Sequence, residues 1–292
     1  MEKCFRALEI LTFVAFYLIR VKSNRCLYFL YLIKRLNMNI AIIQAPLKWE
    51  DAEYNCSFFE RKLSFVKEET DIVILPETFT TGFSMLSTDL AEKMSGNSVK
   101  WMKKMAKEHD IHLIGSLIIQ EGKAFFNRQL VVGPKGIEAQ YDKRHLFTMA
   151  KEDQYYKPGT ERVIWEYKSW RFLLQTCYDL RFPVFSRNQK DYDTAIYIAN
   201  WPEIRSTPWK TLLRARAMEN QSYILACNRV GSDGNGIAYS GDSAIIDPMG
   251  VDCIEIPSHE EGIFYHSLDK DHLEACRKRF PVLDDADEFT LA

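Results

Sequence analysis

The 292-residue sequence contains no C-x-x-C pair, and its seven cysteines, at positions 4, 26, 56, 177, 227, 253 and 276, are odd in number. That argues against a disulfide framework and against a thiolate zinc site. It points instead to a reducing compartment, the cytoplasm, where a thiol stays free for chemistry. A basic surplus is also missing: 38 Lys and Arg stand against 40 Asp and Glu, a net charge of −2. Nothing in that balance would draw the chain to nucleic acid or an anionic membrane, which leaves a small neutral or acidic partner. Repeats with a period of roughly 20 to 50 residues are lacking, as are Pro- or Ser-rich linkers, and one domain is favoured over two.

The near-even charge conceals a division. Seven Lys/Arg and two Asp/Glu fall in residues 1–37, so residues 38–292 carry a net charge of −7. The two apolar runs of the amino-terminal piece, ILTFVAFYLI and CLYFLYLI, are shorter than the roughly 20 residues of a membrane helix, and membrane association is not expected. A small-residue cleavage site follows neither run. A weak signal anchor, an amphipathic surface element and sequence upstream of the natural start are the three readings. The third is preferred, because Met38 opens a clean strand pattern. The main domain is therefore expected to span 38–292.

From Met38 onward, short runs rich in Ile and Val alternate with segments of helical period. NIAIIQA and DIVILPE read as buried strands around a helix over about 51–67, and a second helix is expected over 98–109 with Asn97 as its cap. HLIGSLIIQ, AFFNRQLVVG and IEAQYD are separated only by EGK and PKG and form a predicted meander. RFLLQTC, TAIYIAN and SYILACN are further strands, with a short helix after Phe182 and a longer one over about 207–220. A hairpin is expected around Asp247-Pro248-Met249-Gly250, then a strand, EGIFYHSL, and a helix over 269–279. Two αβ halves with mixed sheets covered by helices follow.

A cysteine that closes a core strand is ordinarily inert filler. LLQTCYDLRFP, however, sets Cys177 between a strand and a helix start, where a tight turn presents the side chain and free N–H groups can stabilise a thiolate or oxyanion. Cys227, in SYILACN, lacks that setting. His109 and His112 resemble an H-x-x-H pair, but one ends a helix and the other starts a strand, so they do not share a face, and no metal or other cofactor is expected. A carboxylate can serve the thiol instead: DIVILPETF places Glu77 directly after a buried strand, in the crevice where open αβ sheets bind ligands. AQYDKRHLF places Lys143 after the meander, where an ammonium could stabilise a tetrahedral oxyanion.

PETF, YDKRHLF and TCYDLRFP together resemble the nitrilase, or carbon-nitrogen hydrolase, family, whose Glu-Lys-Cys triad occurs in that chain order. The likeness runs over residues 38–268. It implies a four-layer α-β-β-α sandwich of two mixed sheets, no cofactor, a homodimer, and a supporting glutamate that EDQYYKPG supplies as Glu152. PETFTTGFSM, ANWPEIRSTPWKTLLRARAMENQSYILACNRVG and YSGDS are most similar to the omega-amidase branch, which implies small-molecule 2-oxo dicarboxylic acid monoamides as substrates. Glu77 would act as base, Cys177 as nucleophile, and Lys143 with the Tyr178 backbone N–H as oxyanion donors. For recognition, Arg205 is the candidate partner of the substrate carboxylate, and Trp201 and Phe147 are candidate walls. Arg181 is the competing candidate, but its place next to the nucleophile's turn, which the resemblance implies is shared by members with different substrates, favours a buried structural role; Arg216 with Glu219 is read as a helix-stabilising pair.

Overall fold

The computed structural model describes residues 37–290, so the expectation for the amino-terminal extension lies outside the described residues. Ile, Ala and Val fill β1 (Met38–Gln44) and β2 (Ile72–Ile74), which suits strands buried on both faces. These two run parallel to each other and to β3 (His112–Glu121). The meander then adds β4 (Ala124–Gly133) and β5 (Gly136–Asp142), each antiparallel to its predecessor, while β13 (Gly262–Leu268) closes the other edge antiparallel to β1. The first sheet therefore has the order β13-β1-β2-β3-β4-β5.

The second sheet has the order β12-β9-β8-β7-β6. Its parallel centre is β7 (Trp170–Thr176), β8 (Thr194–Ala199) and β9 (Tyr223–Asn228), flanked by β6 (Ile164–Tyr167) and β12 (Ala244–Ile246). A separate two-stranded ribbon joins β10 (Val230–Ser232) to β11 (Ala238–Ser240). Ile40, Ile42, Ile74 and Ile114 of the first sheet share one core with Phe172, Leu174, Ile196, Ile198 and Leu225 of the second. The outer face of the first sheet is covered by α1 (Ala52–Leu63) and α2 (Asn97–His109), through Phe59, Leu63, Met102 and Met105. Trp209, Leu213 and Ala217 of α3 (Ser206–Asn220) cover the second. The result is the expected α-β-β-α sandwich.

Local departures have local causes. The first helix ends at Leu63 rather than 67. Asn97 is the first residue of α2 rather than its cap: the Glu92 carboxylate reaches the exposed start and accepts from Ser98 N at 2.8 Å, so a side chain from outside the helix does the capping. The Asp247 hairpin keeps its turn, with Asp247 N donating to Val251 O at 2.9 Å, but its return strand shrinks to one bridge between Ile246 and Asp252. No helix among the described residues is long and apolar enough to cross a membrane.

The sheet directions place the site. Because β5 runs the same way as β2, the carboxyl ends of both lie at one edge, and Glu77 and Lys143 follow those ends. Cys177 and Asn200 follow the parallel ends of β7 and β8. Buried Cys227, at the end of β9, has its sulfur 3.4 Å from Ile43 O and 3.5 Å from Ile74 O, which brings the two sheets' ends together.

At the opposite end of β8, Asp193 ties strands to the last helix, α4 (Lys270–Arg279). Its carboxylate accepts from Arg171 Nη2 at 3.0 Å, Lys270 Nζ at 2.6 Å and Arg277 Nη1 at 2.9 Å. Burial opposes its ionisation, but Arg171 and Lys270 outweigh that and hold its pKa at about 2. A depressed folded-state pKa stabilises fully above the unfolded value, and the effect is lost as pH falls through about 2. The shift corresponds to about 2 kcal/mol. Asp193→Asn is expected to lower stability in urea by at least about 2 kcal/mol at neutral pH, with the deficit shrinking below about pH 4. A deficit that stays constant down to about pH 2 would rule this linkage out.

Candidate active site

Glu77, Lys143 and Glu152 form one buried cluster, with relative exposures of 0, 1 and 0%. The Lys143 ammonium lies 3.0 Å from Glu77 Oε1 and 3.0 Å from Glu152 Oε2. Asn127 Nδ2 donates to Glu77 Oε1 at 2.7 Å, and the Asn200 backbone N–H donates to Glu77 Oε2 at 2.8 Å. Glu152 Oε2 also accepts from Phe147 N at 2.5 Å. Burial works against the Lys143 cation, but the Glu152 and Glu77 charges prevail and hold its pKa well above the ordinary lysine value. Burial raises the pKa of Glu152, against the pull of Lys143.

Each of these side chains is aimed by a short stretch of constrained backbone. Thr78, just after Glu77, has φ 42°, and its N–H donates to Ser116 Oγ at 2.7 Å. The Lys143 backbone is held on both sides, donating to Asn127 O at 3.0 Å and accepting from Gly159 N at 3.0 Å. Gly159 packs so closely that an added Cβ would lie 2.1 Å from Asp142 O. Lys151, with φ 60°, turns the chain into Glu152.

Cys177 has φ 49°, a left-handed conformation that costs a non-glycine residue about 1–3 kcal/mol and is tolerated where surrounding contacts hold it. Those contacts are visible. The helix start expected here is a five-residue 3-10 turn, Cys177–Arg181, opened by a capping box in which Asp179 Oδ2 accepts from Thr176 N at 2.8 Å. The same buried carboxylate accepts from Tyr141 OH at 2.7 Å and, through Oδ1, from His145 N at 3.0 Å, with His145 Nδ1 at 2.8 Å. Asp179 thus fastens the segment carrying Lys143 to the turn carrying Cys177. Arg216, expected only to pair with Glu219, does so at 2.8 Å and also donates to Leu180 O at 2.6 Å, bracing the turn from α3.

Cys177 is half-buried and opens onto a cavity of about 540 Å³, with Lys143 and Tyr178 also in its lining. Burial, and then the Glu77 charge, push the thiol pKa well above its ordinary value, and Lys143 only partly offsets them. The sulfur is therefore a neutral thiol beside a carboxylate and an ammonium. Such an arrangement suits concerted deprotonation and attack on a carbonyl carbon.

The predicted recognition residues also converge. Phe147, Trp201 and Arg205 line the cavity, the Arg205 guanidinium lies 5.2 Å from the Phe147 ring centroid, and Trp201 Nε1 donates to Arg205 O at 2.7 Å. Arg181 corrects the sequence reading: it is exposed, lines the cavity and lies 5.1 Å from the Trp201 ring centroid. The tight 3-10 turn rotates it outward from the braced face that holds Asp179 and Leu180. His112, by contrast, packs on Trp165 and Tyr167, contacts Glu138 at 3.2 Å and does not line the cavity. Among the described residues, no group of three or more His, Cys, Asp or Glu is arranged to hold a metal ion. Sequence reasoning missed Asn127, Asn200 and Asp179; only Asp179 carried a legible signal, the T-x-x-D of its capping box.

The carbon-nitrogen hydrolase family model matches residues 39–278. The chain is 45% identical to omega-amidase YafV of Escherichia coli strain K12, over 87% of this chain and 98% of that protein. It is 32% identical to 2-oxoglutaramate amidase of Bacillus subtilis, over 86% of this chain and 98% of that protein. Among solved structures, a CN-hydrolase superfamily protein of Xanthomonas campestris, crystallised with an arsenic adduct in its active site, superimposes with a TM-score of 0.85. That pair is 41% identical, covering 88% of this chain and 99% of the other. With four layers, two mixed sheets and these matches, the chain belongs to the carbon-nitrogen hydrolase family.

Proposed function

We propose that the protein hydrolyses the terminal amide of 2-oxo dicarboxylic acid monoamides, 2-oxoglutaramate and 2-oxosuccinamate, releasing the 2-oxo acid and ammonia. The observation that carries this is that Lys143 and Cys177 line one cavity whose wall also bears Arg181 and Arg205, with buried Glu77 held 3.0 Å from the Lys143 ammonium. The likeness to omega-amidases supports the substrate class.

In the first step the Cys177 sulfur attacks the amide carbon while Glu77 takes the thiol proton. The carbonyl oxygen becomes an oxyanion facing the Lys143 ammonium and the Tyr178 N–H. Collapse of this intermediate breaks the C–N bond, the proton on Glu77 passes to the leaving nitrogen, and a thioester remains on Cys177. Water, deprotonated by Glu77, then adds to the thioester carbonyl, and the C–S bond breaks to return the thiol. Glu152, 3.0 Å from the Lys143 ammonium, gives that cation a second carboxylate partner, so that Lys143 is not balanced by Glu77 alone. Arg205 or Arg181 pairs with the substrate carboxylate, and Phe147 and Trp201 hold the carbon chain.

Residues 38–292 are the proposed hydrolase domain, acting in the cytoplasm as a homodimer. Solution mass by light scattering tests the assembly.

Ammonia release from 2-oxoglutaramate should exceed that from glutamine, aliphatic amides and N-carbamoyl compounds. Protein quenched during turnover should carry an acyl adduct on Cys177 by mass spectrometry. Cys177→Ala is expected to abolish turnover and Glu77→Gln to lower kcat by about 10²- to 10⁴-fold. No ammonia from either oxo acid amide would end the substrate assignment, and turnover by Cys177→Ala would end the mechanism.

Because the Cys177 pKa is raised, the native thiol stays protonated where an ordinary thiol, with a pKa of roughly 8.5, ionises. Alkylation of Cys177 by iodoacetamide should therefore be at least about tenfold slower in native than in unfolded protein at about pH 8.5, and should still be rising steeply at about pH 9. A native rate equal to that of unfolded protein, or one that levels off by about pH 9, would show an unperturbed or lowered thiol pKa.

A further inference from the structure

Asp242, in the YSGDS stretch, is buried and lies outside the cavity lining, yet three chain segments meet on it. Oδ2 accepts from Ser206 Oγ at 2.6 Å and from Ser240 Oγ, and Oδ1 accepts from Ser258 Oγ and from Lys210 Nζ at 2.8 Å. Its backbone carbonyl accepts from Trp209 Nε1 at 2.8 Å. Burial opposes its charge, but Lys210 and the three hydroxyls hold its pKa at about 2. The residue adopts φ 56°, a conformation uncommon for a non-glycine side chain.

Ser206, Trp209 and Lys210 make up the first turn of α3, and Arg205 is the residue immediately before it. Arg205 is the N-cap position but provides no side-chain cap. A carboxylate brought in from another segment therefore does the anchoring, where the helix dipole favours negative charge. Trp209 also packs against Trp201, at 5.2 Å between ring centroids, and Trp201 holds the Arg205 carbonyl. From the other side, Asn228 Nδ2 donates to Gly241 O at 2.7 Å and to Trp201 O at 3.0 Å. These routes from Asp242 lead to the backbone that carries Trp201 and Arg205. The partners of the Asp242 carboxylate, Ser206, Lys210, Ser240 and Ser258, are all separate from Glu77, Lys143 and Cys177.

We propose that Asp242 is a positioning residue for substrate recognition, setting the Arg205 guanidinium over Phe147 so that it meets the carboxylate of the amide substrate. This rests on the assignment of Arg205 as a carboxylate partner. Its signature is a KM effect without a matching kcat effect, because the recognition wall moves and the thiol end of the cavity does not.

The test is a double-mutant cycle in the full-length protein, assayed with 2-oxoglutaramate, with iodoacetamide alkylation of Cys177 as a probe that carries no carboxylate. Asp242→Asn is expected to raise KM about tenfold, with kcat and the alkylation rate within about twofold of the parent. Arg205→Met should raise KM by a similar factor, and the double variant should be no worse than Arg205→Met alone, within about twofold. Ser206→Ala removes one link on the α3 side and should raise KM about two- to threefold, and it decides the matter if Asp242→Asn does not fold. If Arg205→Met leaves KM unchanged, the assignment of Arg205 fails and the proposal goes with it. If Arg205→Met raises KM while Asp242→Asn and Ser206→Ala do not, or while they lower kcat instead, the Arg205 assignment survives and the role of Asp242 is only structural.

Discussion

An ammonium enclosed between two carboxylates is the constraint on which the rest of the structure depends. Lys143, Glu77 and Glu152 are all buried, and desolvating three charges costs several kcal/mol for each ion unless geometry and hydrogen bonds return it. Here the ammonium lies 3.0 Å from an oxygen of each carboxylate, and Asn127, Asn200 and Phe147 supply further donors to those carboxylates. The arrangement also divides the roles. With its pKa raised by two carboxylates, Lys143 cannot give up its proton to become a base, so it serves as a fixed positive charge. The cluster carries one carboxylate more than it has cations, and the proposed base, Glu77, is drawn from that excess.

The fold exists in large part to hold this cluster at one sheet edge. Strands end there from both sheets, and Glu77, Lys143, Cys177 and Asn200 sit one to three residues beyond those ends, while Glu152 is brought back by the following loop. These positions are then fixed by specific contacts. Three residues with positive φ (Thr78, Lys151 and Cys177) stand at or next to Glu77, Glu152 and the thiol. Asp179 and Arg216 hold the cysteine turn from opposite sides. A strained turn braced this way presents the sulfur without a long helix behind it, which is why five residues of 3-10 structure suffice.

Sequence reading reached the strands of the two large sheets except β6, the four longer helices and the cluster because each rests on a signal that survives in one dimension. Ile- and Val-rich runs mark buried strands, and an acidic, basic or sulfur residue placed right after such a run falls at a sheet edge. What it missed depends on contacts between distant segments. Glu92 displaced Asn97 as the cap of α2 from outside the helix. The β10–β11 ribbon is two three-residue strands around a glycine-rich turn, too short for alternation to register. Asn127 and Asn200 are common residues at strand ends, and only the folded chain aims them at Glu77. Arg181 was misread because proximity to the nucleophile in sequence was taken for burial, whereas successive residues of a tight turn face in different directions.

Chemistry and recognition are mounted on different parts of the chain, and this separation has a physical basis. The reacting groups need positions fixed to fractions of an ångström, which strand ends in a doubly covered sheet provide. The groups proposed to read the substrate, Arg181, Arg205, Trp201 and Phe147, sit on short turns and loops and stack on one another around the cavity, with Trp201 rooted in the core. Their cations are set over aromatic rings, Trp201 for Arg181 and Phe147 for Arg205, rather than committed to carboxylates as Arg128 and Arg171 are. A guanidinium stacked this way is oriented while its hydrogen-bonding edge is left for a ligand, which is what binding a carboxylate in two-point fashion requires.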